Sequence, residues 1–113
     1  MTEMVAEVKF VRLECLETED NGADELYMHY NGGHLAGIQD VETGGSWQLD
    51  IFKNVDGDAV VSLFDEDDID EDDNLGTIVI SESEVNSGLR SQDFTGDEAH
   101  YRLFYRVRPA DND

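Results

Sequence analysis

Cysteine is nearly missing from this sequence. Cys15 is the only cysteine among 113 residues, so no intramolecular disulfide can form. No Cys/His cluster has the spacing of a zinc site, and Cys15 lies in an apolar strand pattern typical of a core residue. The length predicts a single domain, residues 1–113, with one modest hydrophobic core.

Positive charge is scarce as well. Seven lysines and arginines stand against 28 aspartates and glutamates, for a net charge of −21. This imbalance argues against nucleic-acid binding, which needs a basic surface, and against docking on anionic lipid by charge alone. Two explanations of the acidity are open: Ca²⁺ binding at clustered acids, or a generally acidic surface that keeps the chain soluble. Acids outside the main cluster, Asp97 among them, are dispersed, which favours the second explanation for them.

Long apolar runs and catalytic motifs are also missing. No run of about 20 apolar residues predicts a membrane span, and the acidic residues 1–7 do not resemble a secretory signal, so we expect a cytoplasmic location by default. There is no P-loop, no Gly-x-Gly-x-x-Gly and no Gly-x-Ser-x-Gly. None of His29, His34 and His100 is near a serine or cysteine in a nucleophile motif. We therefore expect no enzymatic activity.

Short, alternating apolar segments between turn residues fill most of the chain. This pattern predicts an all-β fold, an antiparallel β-sandwich of about seven to eight strands. Residues 59–64 are apolar on both faces and are predicted to form a central strand. Residues 81–96 are polar, with one helical turn near 83–85, and residues 109–113 are predicted to fray. The predicted strands are 5–16, 25–30, 34–38, 47–52, 59–64, 75–80 and 101–107.

Residues 63–76 form the most acidic segment, with eight acids between two apolar runs. A chain cannot bury so many unpaired carboxylates, so the segment is predicted to be an exposed loop between two strands. Asp65 and Asp67 point to the same side by the two-residue period of a strand, and Asp73 returns as the next strand begins. Three carboxylates therefore converge, and Ca²⁺ prefers such oxygen ligands.

A second acidic turn, residues 19–25, also lies between two predicted strands. If the sandwich brings the two loops to one end, a cation is shared between them. An EF-hand fails on spacing, because Asp70 occupies the position that needs glycine and Gly76 the position that needs glutamate. Repeats of the RTX type are absent.

The acidic loop resembles a known calcium-binding loop. Phe64-Asp65-Glu66-Asp67, followed by Asp73-Asn74-Leu75-Gly76, is similar to the third calcium loop of C2 domains, which carries Asp-x-Asp, a gap, Asp, two residues and Gly. Asp24-Glu25-Leu26-Tyr27 resembles that family's first calcium loop, where the family usually has Asp-Pro-Tyr. The resemblance covers roughly residues 8–80, with residues 101–107 as the last strand.

The resemblance implies a C2-like sandwich that binds Ca²⁺ through acids of two loops. It implies that Asp65 bridges cations and that the other two acids of the third loop complete the coordination. In the first loop it implies Asp20 with either Asp24 or Glu25, and this alternative stays open. The implied metal ligands are Asp20, Asp24, Glu25, Asp65, Asp67 and Asp73.

Two non-enzymatic functions follow. In the preferred one, Ca²⁺ rigidifies the acidic loops of a module used for protein interaction or self-association, with exposed strand edges as contacts. In the other, which the resemblance implies, the domain binds phospholipid in a Ca²⁺-dependent way. The loop tip, residues 68–72, has one apolar side chain and no base, so we expect weak or absent membrane binding. A metal-free acidic scaffold is a further alternative.

Three of the seven basic residues share one face of the last predicted strand by parity. They are expected either to pair with an acidic neighbouring molecule or to neutralise acids of the same molecule. These residues are Arg102, Arg106 and Arg108.

Overall fold

The computed structural model describes residues 6–19, 22–67 and 71–110 and shows two four-stranded antiparallel sheets. The strands are β1 (Ala6–Glu17), β2 (Asp24–Tyr30), β3 (Gly33–Val41), β4 (Ser46–Val55), β5 (Asp58–Asp65), β6 (Asp73–Ser81), β7 (Arg90–Phe94) and β8 (His100–Pro109). Sheet 1 has the order β4-β1-β8-β7, and sheet 2 has the order β3-β2-β5-β6. The predicted antiparallel β-sandwich is confirmed.

The core lies between the two sheets and follows the two-residue period of the strands. In β1, Val8 and Phe10 are buried; a bulge between Phe10 and Arg12 then shifts the inward parity, so that Leu13 and Cys15 are buried next. The prediction that Cys15 is a core residue is confirmed. The largest fully buried side chains come from both sheets and include Phe10, Leu13, Leu26, Met28, Leu63, Leu75, Ile80, Phe94, Tyr101, Leu103 and Tyr105.

Strand β5 is central in sheet 2, as its apolar composition predicts. It pairs with β2 on one side and with β6 on the other. Ala59, Val61 and Leu63 face the core without exposed surface, whereas Val60, on the outer face, is 42% exposed. The outer face of sheet 2 therefore carries apolar side chains that no other part of the described chain covers.

Strand β7 was not predicted, because only Phe94 of its five residues is buried and the apolar alternation is missing. The predicted helical turn is a 3-10 helix over Glu82–Glu84, capped by the Ser81 side chain. At the other end of the chain, β8 continues to Pro109, which pairs with Ala6. Residues 111–113 of the predicted tail lie outside the described residues.

Within the described ranges, no helix is long and apolar enough to cross a membrane. The helical element found there has three residues.

Candidate metal site

Three loops meet at one end of the sandwich, between β1 and β2, between β5 and β6, and between β7 and β8. Asp65, the last residue of β5, pairs with Asp73, the first residue of β6. The backbone N–H of Glu66 donates to the Glu25 carbonyl at 2.8 Å, which ties the β5–β6 loop to β2. The strand ends therefore carry acids into one shared space.

Carboxylates from all three loops gather there. Glu19, Asp24 and Asp65 each offer one oxygen, and these oxygens lie within 4.8 Å of one another. Glu19, Asp73 and Asp97 form a second group by the same criterion. Because Glu19 belongs to both groups, the five residues form one assembly, called the five-carboxylate cluster below.

Asp24 is the most deeply buried member, with 1% of its surface exposed. Its Oδ2 accepts hydrogen bonds from the Glu19 backbone N–H at 2.9 Å and from the Tyr101 hydroxyl at 2.5 Å. Its Oδ1, like Oε2 of Glu19, is buried and accepts no hydrogen bond from the described residues. Leaving buried carboxylate oxygens without a donor or cation is costly, so these two oxygens are suited to a cation.

Glu19 shows the electrostatic consequence. Burial, together with the carboxyl groups of Asp65, Asp73 and Asp97, raises the pKa of Glu19 to about 9. Acids this close cannot all ionise cheaply, since like charges disfavour one another. In the absence of a cation, a proton on Glu19 therefore relieves the repulsion at neutral pH.

The backbone fixes the cluster from two sides. Oδ1 of Asp65, itself 8% exposed, accepts a hydrogen bond from the Glu25 backbone N–H at 2.9 Å. The Gly96 N–H donates to the Leu75 carbonyl at 2.6 Å. A Cβ at position 96 would lie 2.7 Å from the Leu75 carbonyl carbon, so only glycine allows this approach. The approach brings the next residue, Asp97, into the cluster.

The donor set fits Ca²⁺. Every ligand atom that the two groups offer is a carboxylate oxygen. Ca²⁺ takes six to eight oxygen ligands in flexible geometry, whereas thiolate and imidazole ligands favour zinc and copper. The two buried oxygens without donors also match a cation in chemistry.

Several solved structures share this architecture. A structure of two C2 domains of extended synaptotagmin 2 matches with a TM-score of 0.62 and 24% identity over 96% of this chain and 42% of that chain. Its calcium-bound form matches with a TM-score of 0.60 and 22% identity, over 96% and 46%. A structure described as a C2 domain matches at 0.57 and 14%, over 94% and 99%. No protein-family model and no curated protein matches the sequence.

The chain has the fold of a C2 domain. The expected resemblance to C2-like sandwiches is thereby confirmed at the level of fold. This C2-like chain spans less than half of the two extended synaptotagmin chains that it matches.

The C2-like structure brings three of the six predicted ligands together. Asp24, Asp65 and Asp73 belong to the five-carboxylate cluster. Asp20 lies outside the described residues. Glu25 is exposed and belongs to neither carboxylate group; as the next residue of β2 after the buried Asp24, it faces the opposite side. Of these two acids, Asp24 therefore lies in the five-carboxylate cluster and Glu25 does not.

Asp67 is also exposed and outside both groups. Its backbone N–H donates to Oδ1 of Asp72 at 3.0 Å, a contact within the acidic loop. Its role as a ligand stays a prediction. Sequence reasoning did not assign Glu19 and Asp97, although Glu19 lay in the second acidic turn. The signal for Asp97 is faint: a glycine precedes it, and the last strand follows shortly after.

Proposed function

We propose that this C2-like domain binds Ca²⁺ at the five-carboxylate cluster and serves as a module for protein interaction or assembly. The observation that carries the proposal is the pair of buried, donorless oxygens, Oε2 of Glu19 and Oδ1 of Asp24. A structural acidic surface has no need to bury such atoms, because exposed carboxylates are solvated by water. A cation between the loops satisfies both oxygens.

The five carboxylates would hold the ion from three loops at once. Asp24 and Glu19 would contribute from the first loop, Asp65 and Asp73 from the ends of β5 and β6, and Asp97 from the β7–β8 loop. Ca²⁺ would place positive charge among these carboxylates. Its binding would replace the proton on Glu19 and join three separate loops into a rigid surface. A related fold, that of extended synaptotagmin 2, has a structure described as calcium bound.

Thermal unfolding with and without Ca²⁺ tests the proposal. We expect a higher midpoint in millimolar Ca²⁺ than in EDTA, since a ligand at a hundredfold its dissociation constant stabilises by about 2.7 kcal/mol. Mg²⁺ should stabilise less, because it demands octahedral geometry at short distances. An unchanged unfolding midpoint at saturating Ca²⁺ would contradict Ca²⁺ binding and favour the alternative of a metal-free acidic scaffold.

Paired variants locate the effect. The double variant Asp65→Asn, Asp73→Asn should fold and lose the Ca²⁺-dependent gain. The matched control is Asp56→Asn, Asp58→Asn, which removes the same charge from the start of β5 and the turn before it, at the opposite end of that strand. The single variant Asp67→Asn tests separately whether Asp67, which the resemblance to C2 domains implies as a ligand, contributes to Ca²⁺ binding.

The interaction role needs its own measurement. Light scattering in Ca²⁺ and in EDTA should show a Ca²⁺-dependent increase in size if the domain self-associates. Sedimentation with phosphatidylserine vesicles should show weak or no binding in Ca²⁺, as the acidic loop predicts. Strong Ca²⁺-dependent pelleting would instead favour a phospholipid-binding domain. The absence of enzymatic activity stays a prediction beside this proposal.

A further inference from the structure

Positive charge is confined to one of the two sheets. The strands of sheet 2 contain no lysine or arginine, whereas they contain six acids. All seven basic residues lie on the strands of sheet 1, namely Lys9, Arg12, Lys53, Arg90, Arg102, Arg106 and Arg108. The two outer faces of the sandwich are therefore electrostatically different.

On sheet 1, cations of the same chain cover the aromatic rings of Phe52 and Phe104. The Arg12 guanidinium lies 4.1 Å from the centre of the Phe104 ring. Lys9 and Arg108 lie 5.6 and 5.3 Å from the centre of the Phe52 ring. These distances are those of cation–π contacts.

Sheet 2 also has an aromatic cluster on its outer face, made of Tyr27, His29 and Phe64. The Tyr27 and Phe64 rings stack at 5.0 Å between centres, and His29 lies 5.4 Å from Tyr27 and 5.1 Å from Phe64. Every lysine and arginine lies among the described residues, and no lysine or arginine is positioned over these three rings. The cluster therefore has π-faces without the cations that cover the rings of sheet 1.

An open cleft of about 310 Å³ lies against this cluster. Tyr27 and His29 line it from β2, and His34 and Ile38 line it from β3, where Ile38 is 53% exposed. A Cβ on Gly37 would lie 2.6 Å from the Tyr27 Cβ, so the missing side chain lets β3 approach closely beside the cleft. The cleft thus combines aromatic faces with one exposed aliphatic side chain.

Negative charge also lines the cleft, on Glu66 and Asp72. The Asp67 backbone N–H and the Tyr27 hydroxyl both donate to the Asp72 carboxylate, which ties this carboxylate to the aromatic cluster. An anionic ligand would meet these carboxylates, while a cationic one would be attracted by them.

We propose that this cleft binds the arginine side chain of a basic partner protein. A guanidinium stacks on aromatic rings and donates to a carboxylate in the same plane, which an ammonium does less well. Its methylene stem would pack on Ile38. The net charge of −21 attracts a basic partner at long range.

A second copy of this chain is a poorer occupant. Two molecules of charge −21 repel each other. Two arginines of sheet 1 are also engaged within the molecule, Arg102 with Asp93 at 2.8 Å and Arg108 with Glu7 at 2.8 Å. The charge pattern therefore favours a different, basic protein. This inference deepens the interaction role proposed above, but it does not require Ca²⁺.

Amide NMR shifts with capped tripeptides test the cleft directly. Glycyl-arginyl-glycine should give saturable shifts at the amides of Tyr27, His29 and Ile38 at physiological salt. The lysine tripeptide should bind more weakly, and the glutamine tripeptide should give no shifts. Arginine-induced shifts that spread evenly over the acidic loops, or none at all, would contradict the proposal, because any polycation is attracted to so acidic a chain.

A charge-neutral pair of variants separates the cleft from general electrostatics. Phe64→Leu removes the ring that stacks on Tyr27, a lining residue of the cleft, and should weaken arginine binding by about two- to ten-fold, the range of a lost aromatic pair. Phe52→Leu, which removes an exposed ring from sheet 1, should leave it unchanged. Asp72→Asn, at an exposed loop position, should also weaken arginine binding. This variant replaces Phe64→Leu in the test if Phe64→Leu does not fold. Equal affinity in all three variants would overturn the proposal.

Two further arms distinguish the remaining outcomes. Each titration is run in Ca²⁺ and in EDTA. Arginine shifts without thermal stabilisation by Ca²⁺ would contradict the metal proposal only. Thermal stabilisation by Ca²⁺ without arginine shifts would contradict the cleft proposal only.

Sedimentation with phosphatidylcholine vesicles, whose headgroup also carries a cationic group, is compared for the parent protein and Phe64→Leu. Vesicle binding that needs Phe64, together with absent arginine shifts, would assign the cleft to a membrane surface and overturn the protein partner.

Discussion

The Tyr101 hydroxyl donates a hydrogen bond of 2.5 Å to Oδ2 of Asp24 in the buried space between the two sheets. Tyr101 belongs to β8 of sheet 1 and Asp24 to β2 of sheet 2, so the bond connects the layers. Burial, followed by this bond to the carboxylate, raises the pKa of Tyr101 strongly. The tyrosine therefore remains a donor at any pH at which the protein is studied.

Tyr101→Phe should remove this donor and leave Oδ2 of Asp24 with the hydrogen bond from the Glu19 backbone N–H. A hydrogen bond to a charged group contributes about 1.5–3 kcal/mol, so we expect a lower free energy of unfolding by that amount in urea and EDTA. The control is Tyr30→Phe, whose hydroxyl donates to the Asn54 carbonyl at 2.6 Å at an exposed site. An equal loss in both variants would contradict a special role for the Asp24 bond.

Glu19 should make the stability of the metal-free protein fall as the pH rises. Its folded-state pKa of about 9 lies above the ordinary value of 4.5, so the folded protein keeps a proton that the unfolded chain loses in this window. Where the folded state binds more protons, the free energy of unfolding decreases with pH. Urea midpoints in EDTA should therefore decline between about pH 5 and pH 9.

Glu19→Gln should flatten that decline, whereas Glu17→Gln, an exposed acid at the end of β1, should not. Ca²⁺ should also displace the Glu19 proton, because metal binding requires deprotonated ligands. Calorimetric binding enthalpies near neutral pH should consequently differ between buffers of different ionisation enthalpy. Identical enthalpies in all buffers would show that Glu19 is already ionised.

Gly96→Ala should disturb both the fold and the candidate metal site. The new Cβ would lie 2.7 Å from the Leu75 carbonyl carbon, so the β7–β8 loop must move and carry Asp97 away. Overpacking of this kind costs about 1–3 kcal/mol, measurable by thermal unfolding, and Ca²⁺ affinity should fall. Gly33→Ala is the control, since its Cβ would meet only the Tyr30 carbonyl oxygen at 3.7 Å.

Asp93 should contribute to stability mainly above its ordinary pKa. It accepts hydrogen bonds from Arg102 and interacts with His100 Nε2 at 2.7 Å, and these contacts lower the pKa of its carboxyl. The stabilisation is present at neutral pH and is lost as the pH falls through the folded-state pKa. Asp93→Asn should cost about 1 kcal/mol or less near neutral pH, because the pair is solvated. A larger loss at acid than at neutral pH would contradict this assignment.

The sandwich was predictable because local patterns determine most of its strands. Short apolar segments predicted β1, β2, β3, β4, β5, β6 and β8 within a few residues. The sequence did not predict strand β7, because its pairing with β8, rather than its own apolar residues, holds it in place. Sheet membership also lay beyond the sequence, since β1 pairs with the distant β4 and β8.

The candidate site was predictable only in part. The register of β5 and β6 brings Asp65 and Asp73 together, and both acids adjoin strands that the sequence marks clearly. Asp97 reaches the cluster through the contact of Gly96 with Leu75, about 20 residues away in sequence. Such a long-range contact has no local signature.

The sequence also left open what the arginines of the last strand pair with. Arg102 and Arg108 pair with Asp93 and Glu7 of the same molecule, which agrees with the expectation that these arginines neutralise acids of their own chain.

The one-sided placement of lysine and arginine gives the molecule an electric dipole moment across its thickness. A charged surface or a charged macromolecule exerts a torque on such a body before any contact is made. Beside a polyanion, sheet 1 turns inward; beside a polycation, sheet 2 does. Productive encounters therefore begin already oriented, and their rate should fall steeply as salt screens the field.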